Sequence, residues 1–281
     1  MSKKALLVGI NNYRDPQIND LQGCLNDVTN MRNILKTYMG FTNADIRLLV
    51  DGRATKANIK ARLQYMVKNA KSGDYLVFHY SGHGSQIRDR DGDELTDNLD
   101  EIICPYDMSW DNVYITDDDL NKIFTLLPEG VLLEVFLDSC HSGTGLKDIN
   151  LGRPAELGPQ NPIQNRYLPP PPDIYARLEG EEDEVKVRGF RSKKRSTMRH
   201  ILWAGCKDNQ TSADAYIDGA YNGAFTYYFC KHMRDGGSSL SRDELIKRIR
   251  ASLVHNNYSQ TPQLECEATV RKSQGLGPVK K

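Results

Sequence analysis

Short runs of consecutive apolar residues alternate along this chain with longer stretches in which apolar residues recur every three or four positions. The first kind reads as buried strand and the second as helix with one face turned to a core. Lys4–Ile10 predicts a first strand, and Leu21–Tyr38 a helix with Leu25, Val28, Met31, Ile34 and Leu35 on one face and Gly40 as its stop. Ile46–Val50 predicts a second strand, Ala57–Asn69 a helix with Thr55 as its cap, and Asp74–Tyr80 a third strand. Thr116–Leu127 reads as a helix with an acidic first turn, and Leu132–Leu137 as the fourth strand. The pattern resumes at His200–Ala204, a fifth strand, followed by helices over Ala224–Met233 and Arg242–Leu253 and a short last strand near Pro262–Cys266. Repeated strand–helix units predict an α/β fold, a mostly parallel sheet with helices on both faces.

Between about Leu146 and Met198 the periodicity is lost. This stretch holds the run Pro169–Pro172, an acidic cluster at Glu179–Glu184, and a basic one with Arg188, Arg191, Lys193, Lys194 and Arg195. So long a segment without apolar periodicity predicts a flexible linker, here 146–198, between an ordered region 1–145 and another at 199–281.

Bulk composition narrows the function classes. The 281 residues suffice for a substantial core, and 37 basic against 37 acidic residues leave no net charge. A globally basic nucleic-acid binder is excluded. The apolar opening of the chain is too short for a secretion signal, and no stretch is long enough to span a bilayer. Six scattered cysteines lack zinc-ligand spacing, so the expectation is a cytoplasmic chain with reduced thiols and no membrane partner.

Two strings carry the chemistry: Tyr80-Ser81-Gly82-His83-Gly84 after the third strand and Asp138-Ser139-Cys140-His141-Ser142-Gly143 after the fourth. Groups just past the carboxyl ends of strands in a parallel sheet share one crevice. A neutral imidazole beside a thiol can take its proton, and the thiolate is the nucleophile. Cysteines ending apolar strands are often only small buried hydrophobes. Cys140, however, sits among small polar neighbours that would let a substrate reach the sulfur. His83 is flanked by glycines, whereas His79 reads as packing inside its strand. His141, adjacent to Cys140, would point the other way in an extended chain.

With these residues in view, the chain resembles the metacaspases, in particular the short prokaryotic ones called orthocaspases. The resemblance rests on Gly9–Tyr13, Leu21–Asp27, Tyr80–Gly84, Asp138–Gly143, Gly205–Asp214 and Gly223–Thr226. It implies a caspase–haemoglobinase-like fold with a six-stranded sheet, region 1–145 being large-subunit-like and 199–281 small-subunit-like. It further implies a monomeric cysteine endopeptidase with a His83–Cys140 dyad, an oxyanion hole from the Gly84 and Cys140 N–H groups, and cleavage of protein substrates after arginine or lysine. Asp27 and Asp138 match the acidic pocket positions, and Cys24 and Ser81 other pocket-lining ones. A buried cationic side chain needs such carboxylates. The basic linker residues Arg188, Arg191, Lys193, Lys194 and Arg195 become self-cleavage candidates.

No organic cofactor is expected. Calcium is the one cofactor the resemblance raises, through Asp100, Asp117 and Asp118. The fourth matching position is Lys147, with Asp148 one place beyond, so the ligand set departs from the family's. Asp117 and Asp118 have an alternative role at the positive end of their helix. Two other functions stand beside the peptidase reading: a catalytically silent, caspase-like peptide-binding module and a legumain-like hydrolase acting at asparagine.

Overall fold

The computed structural model describes residues 1–88, 99–140, 162–174, 200–207 and 210–276. In chain order the first elements are β1 (Lys3–Gly9), α1 (Cys24–Tyr38), β2 (Ile46–Val50), α2 (Lys56–Lys68) and β3 (Tyr75–Ser81). Next come β4 (Gly84–Arg88), β5 (Leu99–Ile103), β6 (Ile115–Thr116), α3 (Asp117–Phe124) and β7 (Leu132–Asp138). The remainder is β8 (Gln164–Asn165), β9 (His200–Ala204), β10 (Ala213–Ile217), β11 (Ala220–Gly223), α4 (Ala224–Gly236), α5 (Arg242–His255), β12 (Gln263–Glu265) and α6 (Ala268–Lys272).

Six strands form the central sheet in the order β12-β9-β7-β3-β1-β2. All neighbours are parallel except β12, which closes one edge antiparallel to β9. The expected six-stranded α/β architecture is thus present, with each expected strand and helix within a few residues of its place. Thr55 caps α2 by accepting from Asn58 N–H, and Gly40 follows α1 at φ +68°, a conformation that favours glycine.

The run of apolar residues in each strand splits by parity between two cores. Leu6, Val8, Leu76, Phe78, Leu133 and Val135 face one side, against Ile59 and Leu63 of α2 and Leu120 and Phe124 of α3. Ala5, Leu7, Tyr75, Val77, Phe136 and Trp203 face the other, against α1, α4 and α5. Phe136 stacks on Trp203 with centroids 5.6 Å apart, and Phe229 of α4 meets both edge-on. Each such aromatic pair is worth about 0.5–1.5 kcal/mol beyond its buried area. A buried acid interrupts this layer. Glu134 of β7 is fully buried and accepts from Tyr75 Oη (2.9 Å), Trp203 Nε1 (2.9 Å) and Arg242 (2.6 Å), tying β3, β9 and α5 to the central strand.

Two small antiparallel sheets sit beside the main one, β4-β5-β6 and β11-β10-β8. Neither was legible in the apolar pattern. The second corrects the expectation of an unstructured linker over 146–198. Residues 162–174 are folded against the domain, Arg166 being fully buried and β8 pairing with β10 through Asn165–Ala213 and Gln164–Asp214. The reason is polar, so hydrophobic periodicity could not reveal it. Among the described residues no helix is long and apolar enough to cross a membrane.

Candidate active site

Strands β3 and β7 are parallel neighbours with Ser81 in register with Asp138. The chain leaves both at the same edge of the sheet, so His83 and Cys140 emerge side by side, each two residues past this pair. The Gly84 and Cys140 N–H groups donate to one and the same acceptor, the carbonyl oxygen of Arg166, at 2.9 and 3.2 Å. The two strand ends therefore meet around a single peptide carbonyl, which is the geometry an oxyanion hole requires.

His83 is held on several sides. Its N–H donates to Tyr13 Oη (2.8 Å), and its carbonyl accepts from Tyr80 Oη (2.6 Å) and from Cys104 N–H (3.0 Å). The Tyr13 ring lies 5.1 Å from the imidazole. Nε2 is 2.7 Å from the Asn19 carbonyl, which can only accept, so Nε2 carries the hydrogen. Nδ1 is buried without a hydrogen-bond partner and keeps its lone pair. Burial pushes this imidazole down to about 4, opposed by the Asn19 carbonyl. It is consequently neutral at ordinary pH, the state a general base must have.

Cys140 is fully buried. Its thiol donates to the Ser212 carbonyl (3.4 Å), while Ser212 N–H donates to the sulfur. Ser212 also accepts at its carbonyl from Arg166 N–H (3.1 Å). What lies against the reactive edge is thus a peptide, the chain's own residues 164–168, running antiparallel to β10 like an added strand.

Below that edge is a buried acidic pocket. The guanidinium of Arg166 is 2.8 Å from Asp27, 3.3 Å from Asp138 and 3.1 Å from Asp214, all four side chains having no exposed surface. It also donates to Ser81 Oγ (2.8 Å) and to the Asp138 carbonyl (3.1 Å). Each carboxylate has further donors. Asp138 accepts from Thr226 N–H (2.9 Å) in the first turn of α4, from Thr226 Oγ1 (2.7 Å) and from Ser212 Oγ (2.6 Å). Asp27 accepts from Gly223 N–H (2.9 Å) and Ser81 Oγ (2.7 Å). Asp214 accepts from Gln22 N–H (2.7 Å) and Gly23 N–H (3.0 Å) at the start of α1. Helix N-termini are favourable sites for negative charge, which makes burial of these acids tolerable. Even so, burial pushes Asp27 up to about 7 against the pull of Arg166. Gly223 is required here, since a Cβ on it would collide with Asp138, Arg166 and Asp27.

The structure therefore brings together His83, Gly84, Cys140, Asp27, Asp138 and Ser81 from the expected set. Cys24 is buried at the start of α1, with Arg166, Asp214, Asp27 and Ser81 all acting on its thiol. His79 is packing, as expected: it is fully buried, with Nε2 3.3 Å from Thr226 Oγ1. The calcium candidates do not join this site. Asp100 lies on β5 opposite Ile87, Asp117 and Asp118 open α3, and Asp118 pairs with Lys122 at 2.8 Å. Among the described residues no group of three or more His, Cys, Asp or Glu converges as a metal site would. Asp148, His141 and the basic positions Arg188, Arg191, Lys193, Lys194 and Arg195 lie outside the described residues.

Sequence reasoning missed Arg166, Asp214, Ser212 and the Asn19 carbonyl. Asp214 closes one of the strings that carried the family resemblance, so a signal existed. Arg166 stands in a proline-rich stretch with no periodic or motif signal at all.

Comparison with known proteins resolves the family. The family described as "Metacaspase, peptidase C14 domain" matches residues 3–149, and this span contains both His83 and Cys140. The chain belongs to the metacaspases. Metacaspase-1 of Pyricularia oryzae is 36% identical over 289 residues, covering 94% of this chain and 71% of that protein. Metacaspase-1 of Ajellomyces capsulatus is also 36% identical, covering 94% and 79%. Among solved structures, protein GSU0716 from Geobacter sulfurreducens superposes with a TM-score of 0.71 at 25% identity, covering all of both chains. Caspase-1 from Spodoptera frugiperda shares the fold, with a TM-score of 0.58 at 13% identity over 94% of this chain and 85% of that one. As a metacaspase this protein is a cysteine-type peptidase, a hydrolase acting on proteins.

Proposed function

We propose that this metacaspase is an endopeptidase that cuts after arginine and, by the same charge, lysine, and that its substrates include its own chain. The observation that carries the reading is Arg166: its guanidinium is surrounded by Asp27, Asp138 and Asp214 while its carbonyl oxygen accepts from Gly84 and Cys140 N–H. A charged arginine in a buried pocket needs paired carboxylates, and three of them reject aspartate by repulsion.

In the proposed cycle, a peptide extends along β10 with its basic side chain among the three aspartates. Nδ1 of His83 takes the Cys140 proton, with Nε2–H steadied by the Asn19 carbonyl. The thiolate attacks the carbonyl carbon, and the Gly84 and Cys140 N–H groups hold the developing oxyanion. His83 then protonates the departing amine, and water hydrolyses the thioester.

The test is a set of fluorogenic peptides identical except for Arg, Lys, citrulline, Asn or Asp before the cut. Arg and Lys should exceed the neutral and acidic residues by at least about two orders of magnitude, the worth of a desolvated charge pair. Equal turnover of the asparagine peptide would discard the basic specificity and favour a legumain-like activity instead.

A further inference from the structure

Strand β9 lies on the other side of β7 from β3 and brings a second sulfur to the catalytic edge. Leu137 is in register with Ala204, and the ladder carries on past this pair, where Gly205 N–H donates to the Leu137 carbonyl at 2.8 Å. Cys206 therefore comes to rest beside Ser139 and Cys140. Its thiol donates to the Ser139 carbonyl, with sulfur and oxygen 3.6 Å apart, and its side chain is within hydrogen-bonding reach of the Cys140 side chain. Both residues are buried, and both thiols are free. Neighbouring strands run about 4.8 Å apart, inside the span of about 4.4–6.8 Å between Cα atoms that a disulfide bridges. The peptidase cycle gives Cys206 no part.

The two thiols are not equivalent. Cys140 accepts a hydrogen bond from Ser212 N–H, and the neutral His83 imidazole is there to take its proton. The hydrogen bond with Cys140, and then burial, push the Cys206 thiol well above its ordinary value, so Cys206 keeps its proton. Peroxides react with thiolates, so an oxidant admitted to the site attacks Cys140 first. Residues 164–168 leave Cys140 no exposed surface, but any opening that admits a substrate carbonyl to the sulfur admits hydrogen peroxide, which is smaller.

We infer that Cys206 is the resolving cysteine of the catalytic thiol: hydrogen peroxide joins the pair as a Cys140–Cys206 disulfide, which silences the peptidase reversibly and spares Cys140 irreversible oxidation. The inference rests on the reading of Cys140 as nucleophile. The chemistry balances in two steps. The Cys140 proton passes to His83, the sulfur bonds to one peroxide oxygen, the O–O bond breaks, and the departing oxygen leaves as water with the proton from His83. The Cys206 sulfur then bonds to the Cys140 sulfur, and the sulfenic hydroxyl leaves as a second water with the Cys206 proton. Two thiols are oxidised by two electrons, and one peroxide is reduced to two waters. A dithiol reductant reverses the result by thiol–disulfide exchange. Without a thiol already in place, sulfenic acid at Cys140 meets further peroxide and goes on to sulfinic acid, which dithiols do not reduce.

The test exposes the full-length chain, active on an Arg-ending fluorogenic peptide, to hydrogen peroxide and then to dithiothreitol. Peroxide should bring turnover to background while the protein mass falls by two hydrogens, and mapping without reductant should join the peptides that carry Cys140 and Cys206. Dithiothreitol should restore the mass and most of the turnover. Cys206→Ser keeps a hydroxyl to donate to the Ser139 carbonyl but supplies no sulfur. Compared with its own untreated rate, this variant should also lose turnover to the same dose, gain two oxygens at Cys140, and recover little with dithiothreitol. The mapping of the parent needs no variant to fold. An active parent in which peroxide leaves Cys206 reduced and adds oxygens to Cys140, or a Cys206→Ser chain that recovers as fully as the parent, overturns the inference and leaves the peptidase reading standing. A parent that forms the Cys140–Cys206 bond and keeps its turnover overturns the inference together with Cys140 as nucleophile.

Discussion

The acidic pocket makes a quantitative prediction at Asp27. In the Asp27→Asn variant the atom that keeps the Gly223 N–H bond can remain an oxygen, but the other becomes an NH2 facing the arginine side chain that now lies 2.8 Å away. The charge-assisted hydrogen bond from Arg166 is lost, worth about 1.5–3 kcal/mol, and the Ser81 hydroxyl, which donates to the same oxygen, must turn to accept from the new NH2. Asp138 and Asp214, at 3.3 and 3.1 Å, still neutralise the guanidinium, so the larger loss expected of an unpaired buried charge is not incurred. At 1.4 kcal/mol per factor of ten, kcat/KM for an Arg peptide should fall about 10- to 150-fold at pH 8.5. The matched citrulline peptide, similar in shape but uncharged, should change little, so the Arg/citrulline ratio isolates the charge. The pH dependence follows from the same group. Burial raises Asp27 to about 7 in the filled pocket, so its carboxylate is ionised above that pH and protonated below. The parent's ratio should decline as pH falls through about 7, and parent and Asp27→Asn should converge near pH 5.5. The effect on folding has the opposite sense: the folded chain holds a proton on Asp27 that the unfolded chain has released, so this group's contribution to stability is lost as pH rises through about 7. An Asp27→Asn enzyme with the parent's Arg/citrulline ratio at pH 8.5 would refute the pocket assignment.

Other substitutions separate chemistry from architecture. Cys140→Ala should bring peptide hydrolysis to background while lowering stability by only about 1 kcal/mol, since a single buried sulfur is removed; residual turnover near the parent's would exclude Cys140 as nucleophile. Tyr13→Phe deprives the buried His83 N–H of its acceptor, at a cost of about 1–3 kcal/mol, and should lower kcat with KM nearly unchanged; a change confined to KM would contradict a role in steadying the base. Arg242→Met breaks the 2.6 Å buried pair with Glu134 far from the pocket. It should cost about 3–5 kcal/mol, measured by denaturant unfolding, with the Arg/citrulline ratio of the folded fraction unaltered.

Much of the scaffold was readable from the chain alone because strands and helices leave local periodic signatures. Apolar runs located β1, β3 and β7, and a three-to-four spacing located α1, α2, α4 and α5. The same signatures put His83 and Cys140 at strand ends, where a parallel sheet gathers its chemistry. Asp27 and Asp138 were reached through the family resemblance, since a lone acidic residue on a helix face carries no local mark of burial.

What only the tertiary structure decided is whatever depends on polar groups meeting across long stretches of chain. Gln22 N–H and Asp214 are 192 positions apart, and Arg166 and Asp27 139 apart, yet each pair is in direct contact. Hydrogen bonds and ion pairs impose no period on the sequence around them, so the folded strap at 162–174 could not be foreseen, and Asp214 was marked only by its place in a string shared with the family. Sequence determined the sheet and which reactive side chains lie at its rim. Folding decided which imidazole nitrogen is free, which acids close the pocket, and that an arginine of the same chain lies in it, because those outcomes rest on desolvated contacts that exist only once distant segments have been brought together.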